Sequence, residues 1–256
     1  MFWSKAIEVS TQALLSGSLL PISTEPRVLV ENGIRYYLHV KNDNSKKKFA
    51  PKPKNFNPFL PYDEDMFVAT AGDNHVCLLN KFPVLAPHLL ICSNTFIEQI
   101  TALDHSDFAA WILGYDEPDV LGFYNGGFVA GASQPHRHMQ LVKTVNPMQS
   151  ITLSGELPFK HRLFEYDQLN ADSLTADYAQ AMTELGLLAK QGEKCEPYNI
   201  LLTSRWMLIL PRTSNNVEGI FANGINYSGH FLLTNETQVQ WLEEYGVLKF
   251  LTQCAS

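Results

Sequence analysis

The chain has 256 residues, 45% of them hydrophobic and 18% charged, with a formal net charge of −7. A chain of this length buries about 70% of its unfolded surface, so it needs no disulfide or metal staple. The acidic balance speaks against a duplex-DNA binder, which needs a basic surface. A small anionic ligand held by a few placed cations stays open.

In chain order, residues 5–16 read as a short amphipathic helix with Ile7, Leu14 and Leu15 on or near one face. The segment Met1–Glu8 carries charges where a signal peptide needs an unbroken apolar stretch. No run approaches the length of a membrane span, and a soluble cytoplasmic protein is expected. Strands at 28–30 and 34–38 flank Asn32-Gly33, a hairpin signal. Residues 41–54 hold six lysines against one acid, and Pro51 and Pro53 keep them out of a helix. This stretch reads as a solvated loop or as a flexible grip for an anion. Asn57 to Tyr62, with Pro58 and Pro61, reads as a rigid extended segment.

Strands are expected at 66–71, 75–80 and 88–93, then a helix at 107–114 capped by Ser106. Strands follow at 120–125 and 138–143 on either side of a glycine-rich turn. A helix at 174–190, capped by Ser173, repeats Leu174, Tyr178, Met182, Leu185 and Leu188. Strands at 199–203 and 205–210 form a second hairpin, and Asn235 caps a last helix over 236–253. Strands clustered in hairpins with helices between them indicate an α+β fold with a mostly antiparallel sheet and flanking helices, in a single domain over 1–256. Cys77, Cys92, Cys195 and Cys254 are scattered without a CxxC pair and read as buried reduced thiols.

The chemistry concentrates in Gly131-Ala132-Ser133-Gln134-Pro135-His136-Arg137-His138-Met139-Gln140. On a strand over 136–142, His136, His138, Gln140 and Val142 share one face, and Arg137 points to the other. Two imidazoles and an amide in a row are hard to explain by packing. The preceding Gly131, Ala132, Ser133 and Gln134 can offer backbone and side-chain donors to an anion. Imidazoles beside such a turn point to nucleophilic or acid–base work on phosphorus. A zinc pair, satisfied core histidines and an ordinary hairpin remain alternatives on the residues alone.

This decapeptide resembles the GASQ-x-H-x-H-x-Q signature of ATP adenylyltransferases, also called diadenosine tetraphosphate phosphorylases, in the histidine-triad superfamily. Asn57–Pro61, Leu79–Val84, Phe123–Asn125 and Tyr198–Thr203 through Trp206 to Arg212 resemble further family blocks in the same order. The resemblance implies a histidine-triad-like fold. It implies His138 as the nucleophile on the α-phosphorus of diadenosine tetraphosphate, with adenylyl-histidine as intermediate, and ATP and ADP as products with inorganic phosphate as acceptor. Gln140 would donate to a non-bridging oxygen. Being uncharged, it suits transfer to phosphate better than hydrolysis. His136 would orient the strand or touch phosphate, with packing as the alternative.

The same resemblance places Asn125, Gly131, Ala132, Ser133 and Gln134 at the phosphates, and Asn80 and Lys81 at the nucleotide. For Lys81 a plain surface lysine is the alternative. Lys54, just before the Asn-Pro-Phe block, is the choice from the basic loop, with Lys52 as the alternative. Aligned on Gly229, Asn223 falls at a polar ligand position and His230 lies beside the site, while Thr234 stands where some relatives carry lysine. A divalent cation, magnesium, would arrive with the substrate, since no carboxylate cluster marks a metal site. Diadenosine polyphosphates, ATP, ADP and phosphate are the expected partners, with no nucleic acid or membrane. Two rivals remain: a nucleotidyltransferase of the hexose-1-phosphate type, and a non-catalytic nucleotide-binding module.

Overall fold

The computed structural model describes residues 1–42, 56–188 and 194–255. Helix α1 (Phe2–Ser16) buries Trp3, Ala6, Val9 and Ala13. The apolar face expected from the sequence is the outer one, with Ile7 60% and Leu15 85% exposed. The inner stripe is set by spacing of three and four, not by side-chain size. Its alanines permit close approach, and the Trp3 indole donates to Gly114 O at 2.7 Å.

Strands β1 (Thr24–Glu31) and β2 (Ile34–Lys41) form the expected hairpin. Asn32 and Gly33 both take positive φ, 51° and 80°, as a type I′ turn requires. Most of the basic loop lies outside the described residues. Asn57 to Tyr62 turns instead of running extended, because Asn57 Oδ1 accepts the Phe59 N–H at 3.0 Å.

Next come β3 (Phe67–Thr70), β4 (His75–Leu79), β5 (His88–Ser93) and α2 (His105–Ile112). Asp104, not Ser106, caps α2. Its carboxylate accepts from Ser106 and Asp107 N–H, and Asp107 accepts from Asp104 N–H in return. Then follow β6 (Val120–Gly126), β7 (His138–Lys143), α3 (Gln149–Ser154), β8 (Arg162–Glu165) and α4 (Ala171–Glu184).

Asn170 caps α4 three residues earlier than expected, by accepting Ser173 N–H. The helix stops before Leu188, and the chain turns at Gly186 with φ 71°. Hairpin β9 (Tyr198–Leu202) and β10 (Trp206–Pro211) is as expected. After it come β11 (Asn216–Val217), β12 (Ile220–Phe221) and β13 (His230–Leu233). The last helix is two, α5 (Glu236–Tyr245) and α6 (Val247–Cys254), parted at Gly246. Asn235 caps the first as expected. The Glu31 carboxylate accepts Val247 and Leu248 N–H at 2.9 and 3.3 Å, and so starts the second.

One antiparallel sheet runs β3-β4-β5-β7-β6-β9-β10-β8, and a smaller one runs β1-β2-β13 with β13 parallel to β2. Alternation sends Met139, Leu141, Ile91 and Tyr124 into a core with α1, α2 and α4. The opposite face sends Phe123, Val142, Leu201 and Leu208 against the small sheet and α5–α6. A separate cluster of Phe59, Val76, Leu78, Leu90 and Cys92 covers the β4–β5 end of that face. His138 and Gln140 lie on this face, between the two clusters. The four cysteines are free, and Cys195 is only partly buried.

The two faces of α1 give a direct check by urea unfolding. Trp3→Ala costs about 3–5 kcal/mol, whereas Leu15→Ala changes stability by less than about 0.5 kcal/mol.

Candidate active site

The site opens where two paired strands part. β6 and β7 pair from Val120–Lys143 to Phe123–Gln140 and no further. Beyond that point the buried Gln99 amide stands between them. Its Oε1 accepts His138 N–H at 2.8 Å, and its Nε2 donates to Asn125 O at 2.9 Å and to His138 O at 3.2 Å. The ladder is thus replaced by a side chain, which pairs the Asn125 carbonyl and the His138 N–H and carbonyl. No motif marks Gln99 in the sequence.

His138 is the first residue of β7. Its Nδ1–H donates to His136 O at 2.8 Å. That contact fixes the tautomer and leaves the Nε2 lone pair toward a cavity of about 170 Å³. Nε2 has no partner among the described residues. Burial lowers the imidazole from its ordinary value to about 4, against the bond to His136 O, which raises it, and with a smaller downward push from the His136 ring, so the ring is neutral near pH 7. Phe59 packs against it with ring centroids 5.3 Å apart.

His136 does not share this role. It precedes β7, bridges to Glu98, and is fully buried. Asn57 Nδ2 donates to its Nδ1 at 2.9 Å, while Nε2–H faces Ser93 O and Oγ, each at 2.9 Å. With both nitrogens engaged, it offers only its carbonyl to the chemistry, through His138. Arg137 points away as expected and pairs with the buried Asp107 at 2.7 Å.

Gln140 is oriented by a chain of contacts. Phe82 N–H donates to Asn80 Oδ1 at 3.0 Å. Asn80 Nδ2 donates to His88 Nδ1 at 3.0 Å, and His88 Nε2–H donates to Gln140 Oε1 at 3.0 Å. Burial lowers His88 to about 4, so it is neutral and able to accept and donate at once. The Gln140 carbonyl is thereby occupied, and its amide N–H groups are left for a ligand. Asn80 therefore acts here as a positioning residue, and His88 joins the site with no motif to mark it in the sequence.

The glycine-rich turn is narrower as an anion cradle than expected. Gly131 N–H is spent on Phe128 O and Ala132 N–H on Gly127 O, at 2.9 and 3.0 Å. Ser133 and Gln134 keep free N–H groups among the described residues, and Ser133 is exposed. Gly131 serves the packing of the turn instead. At φ 95°, a Cβ there would lie 2.7 Å from the Asn223 Cα. This close approach joins the turn to the segment after β12. Asn125 Oδ1 accepts Gly224 N–H and Asn199 Nδ2–H, at 2.8 and 2.9 Å. The buried Arg212 holds Asn199, Ala130 O and Ala222 O together.

Two cavities meet here. One takes Phe59, Tyr62, Leu78, Lys81, Gln134 and His138. The other, about 220 Å³, takes Asn125, Gly131, Asn223 and His230. Asn80, Phe82, Ser133 and Gln140 line both. Asn223 faces its cavity while its Oδ1 caps Ile225 N–H. Lys81 stands at the rim, 3.8 Å from Asp63. Lys54 lies outside the described residues. A larger cavity of about 490 Å³ lies at the opposite end of β6 and β7, around Asp119, Thr144 and Arg205, away from His138 and Gln140. No group of three or more His, Cys, Asp or Glu stands where it can hold a metal among the described residues.

Residues 1–162 match the Ap4A phosphorylase N-terminal domain family, and residues 155–256 match the ATP adenylyltransferase C-terminal domain family. Diadenosine 5',5'''-P1,P4-tetraphosphate phosphorylase 2 of Saccharomyces cerevisiae is 29% identical, over 77% of this chain and 75% of its own. Protein APA1 of the same yeast is 24% identical over the same shares. The crystal structure of yeast Ap4A phosphorylase Apa2 in complex with Ap4A matches with a TM-score of 0.81 and 25% identity, covering 99% of this chain and 97% of that one.

Nitrogen-detected NMR of the free protein should find His138 as the neutral Nδ1–H tautomer at pH 7, titrating well below an ordinary imidazole. A midpoint near 6.5 would show that burial does not hold it neutral.

Proposed function

The chain belongs to the Ap4A phosphorylase and ATP adenylyltransferase family, and from that premise we propose that it cleaves diadenosine tetraphosphate with inorganic phosphate through an adenylyl group carried on His138. The observation that carries this is the His138 ring, held by His136 O with its Nε2 lone pair free over a cavity. In the first step Nε2 attacks the α-phosphorus, and the bond from that phosphorus to its bridging oxygen breaks. ATP leaves. In the second step a phosphate oxygen attacks the same phosphorus, the P–N bond breaks, and ADP leaves with His138 restored. Nδ1–H stays on His136 O throughout, so the charge that Nε2 acquires is shared with a fixed dipole.

Gln140 contributes its amide N–H to a non-bridging oxygen as charge builds there. It has no proton to exchange, which favours phosphate over an unactivated water as acceptor. Ser133 and Gln134 donate to the neighbouring phosphates from their free N–H groups. The transferred nucleoside sits among Phe59, Tyr62 and Leu78, and the leaving nucleotide on the side of Asn223 and His230. A divalent cation, magnesium, enters as a counter-ion ligated by the substrate's own phosphates. Strands of both family segments share the large sheet, and we treat the chain as one domain. Free cysteines, three of them buried, fit a reducing compartment, and we place the enzyme in the cytoplasm.

Incubation with α-labelled diadenosine tetraphosphate should give ATP and ADP only when phosphate is present, and an acid-labile labelled protein without it. His138→Ala should remove the label and lower turnover by about a thousandfold or more. ATP plus AMP made without phosphate would contradict this. Gln140→Ala should slow adenylyl transfer by about 100-fold with little change in KM. Gln140→His should raise the ratio of AMP to ADP.

A further inference from the structure

The second cavity is unusual for a place that would receive phosphate. Among the described residues that line it there is no Lys, Arg, Asp or Glu. Its titratable lining is three histidines: His39, His88 and His230. His88 has both ring nitrogens engaged, with Asn80 and Gln140. The other two do not. His230 donates Nε2–H to Val145 O at 2.9 Å, with Thr144 Oγ1 at 3.1 Å, and its Nδ1 is buried without a partner. His39, on the neighbouring strand, has a buried Nε2 without a partner.

The two rings are set by register. His230 pairs with Tyr37 and Leu232 with His39 across parallel β2 and β13. The His230 ring stacks on Tyr37 with centroids 5.3 Å apart and lies 6.1 Å from His39, at 19° between planes. A buried nitrogen without a partner forfeits a hydrogen bond, and two beside one cavity call for an occupant.

We propose that His39 and His230 form a proton-linked phosphate site, which receives inorganic phosphate in the second step and the outer phosphates of the leaving nucleotide in the first. The proposal rests on the phosphorolysis reading above. In-line displacement requires the acceptor to approach from the side the leaving group vacated. This cavity adjoins Gln140 and Ser133, which also line the cavity of His138, so it occupies that side. One proton lies between each free ring nitrogen and a phosphate oxygen. The phosphate dianion carries one P–OH, so at least one of the two protons is taken up from solvent, and no other cation among the described residues of the lining is needed.

Burial holds both imidazoles below their ordinary value, and each empty ring is therefore neutral. The titratable groups facing His230 are Tyr37 and His39 from β2, with His88 from β5 in the same lining. Phosphate entry then draws protons in, and their loss helps release the product. A fixed lysine would hold the product anion at every pH.

The test uses the whole chain. His230→Gln keeps a donor for Val145 O and removes Nδ1, and His39→Asn removes the reach of Nε2. Each should raise the KM for inorganic phosphate by about tenfold, with His39→Gln restoring part of the loss. A rise for phosphate supports the site, and the KM for diadenosine tetraphosphate then tells whether the leaving phosphates share it. An unchanged phosphate KM in folded variants overturns the proposal. Calorimetric titration of the unmodified protein with inorganic phosphate, in two buffers of different ionisation enthalpy, should show proton uptake. Its absence also overturns the proposal, whatever the variants do. If the unmodified protein makes no phosphate-dependent ATP and ADP, the phosphorolysis reading fails instead, and calorimetry still tests the site.

Discussion

The proposed chemistry depends on the hydrogen bond from His138 Nδ1 to the carbonyl of His136. An imidazole in water exchanges tautomers and protonates near its ordinary value. Here one nitrogen is tied to a backbone dipole two residues back and the other is left bare. The bond can form only because the strand begins at His138, so that the His136 carbonyl is not drawn into the ladder. The pairing of β6 and β7 ends at Phe123 and Gln140, before it reaches this pair of histidines.

Much of the surrounding structure serves to hold that break open. Gln99 supplies the missing hydrogen bonds between Asn125 and His138. Asn57, Ser93 and Phe59 enclose His136 and exclude water from it. Asn80 and His88 turn the Gln140 amide outward. Arg212, buried without a carboxylate partner among the described residues, gathers neutral carbonyls from the turn and from the segment before Asn223. Each contact is worth only about 1 kcal/mol net. Their value is geometric, because a reacting nitrogen must be placed within a fraction of an ångström.

What could be read in the sequence was what lies close together in it. The His138 and Gln140 alternation, the Asn32-Gly33 turn and the Asn235 cap are local patterns, and all three stand in the structure. The α1 face differs from the expected one because its buried stripe follows spacing and not bulk, and Ala6 and Ala13 are small. Ser106 and Ser173 lose their capping roles to Asp104 and Asn170, two and three residues upstream, which start each helix earlier and accept the N–H groups of Ser106 and Asp107 and of Ser173. Gln99, His88 and His39 carry no local signal, since Gln99 works on Asn125 and His138, 26 and 39 positions away, His88 on Gln140, 52 positions away, and His39 on a strand paired only in the fold. The N–H groups of Gly131 and Ala132, expected at a ligand, are consumed by the turn itself.

The central claim is that His138 takes the adenylyl group before phosphate does. The stereochemical course at the α-phosphorus tests it most directly. With a substrate made chiral there by sulfur and oxygen isotope substitution, two successive in-line displacements invert the centre twice. The account predicts net retention of configuration in the ADP analogue. Net inversion would mean that phosphate attacks directly, and would contradict the role assigned to His138.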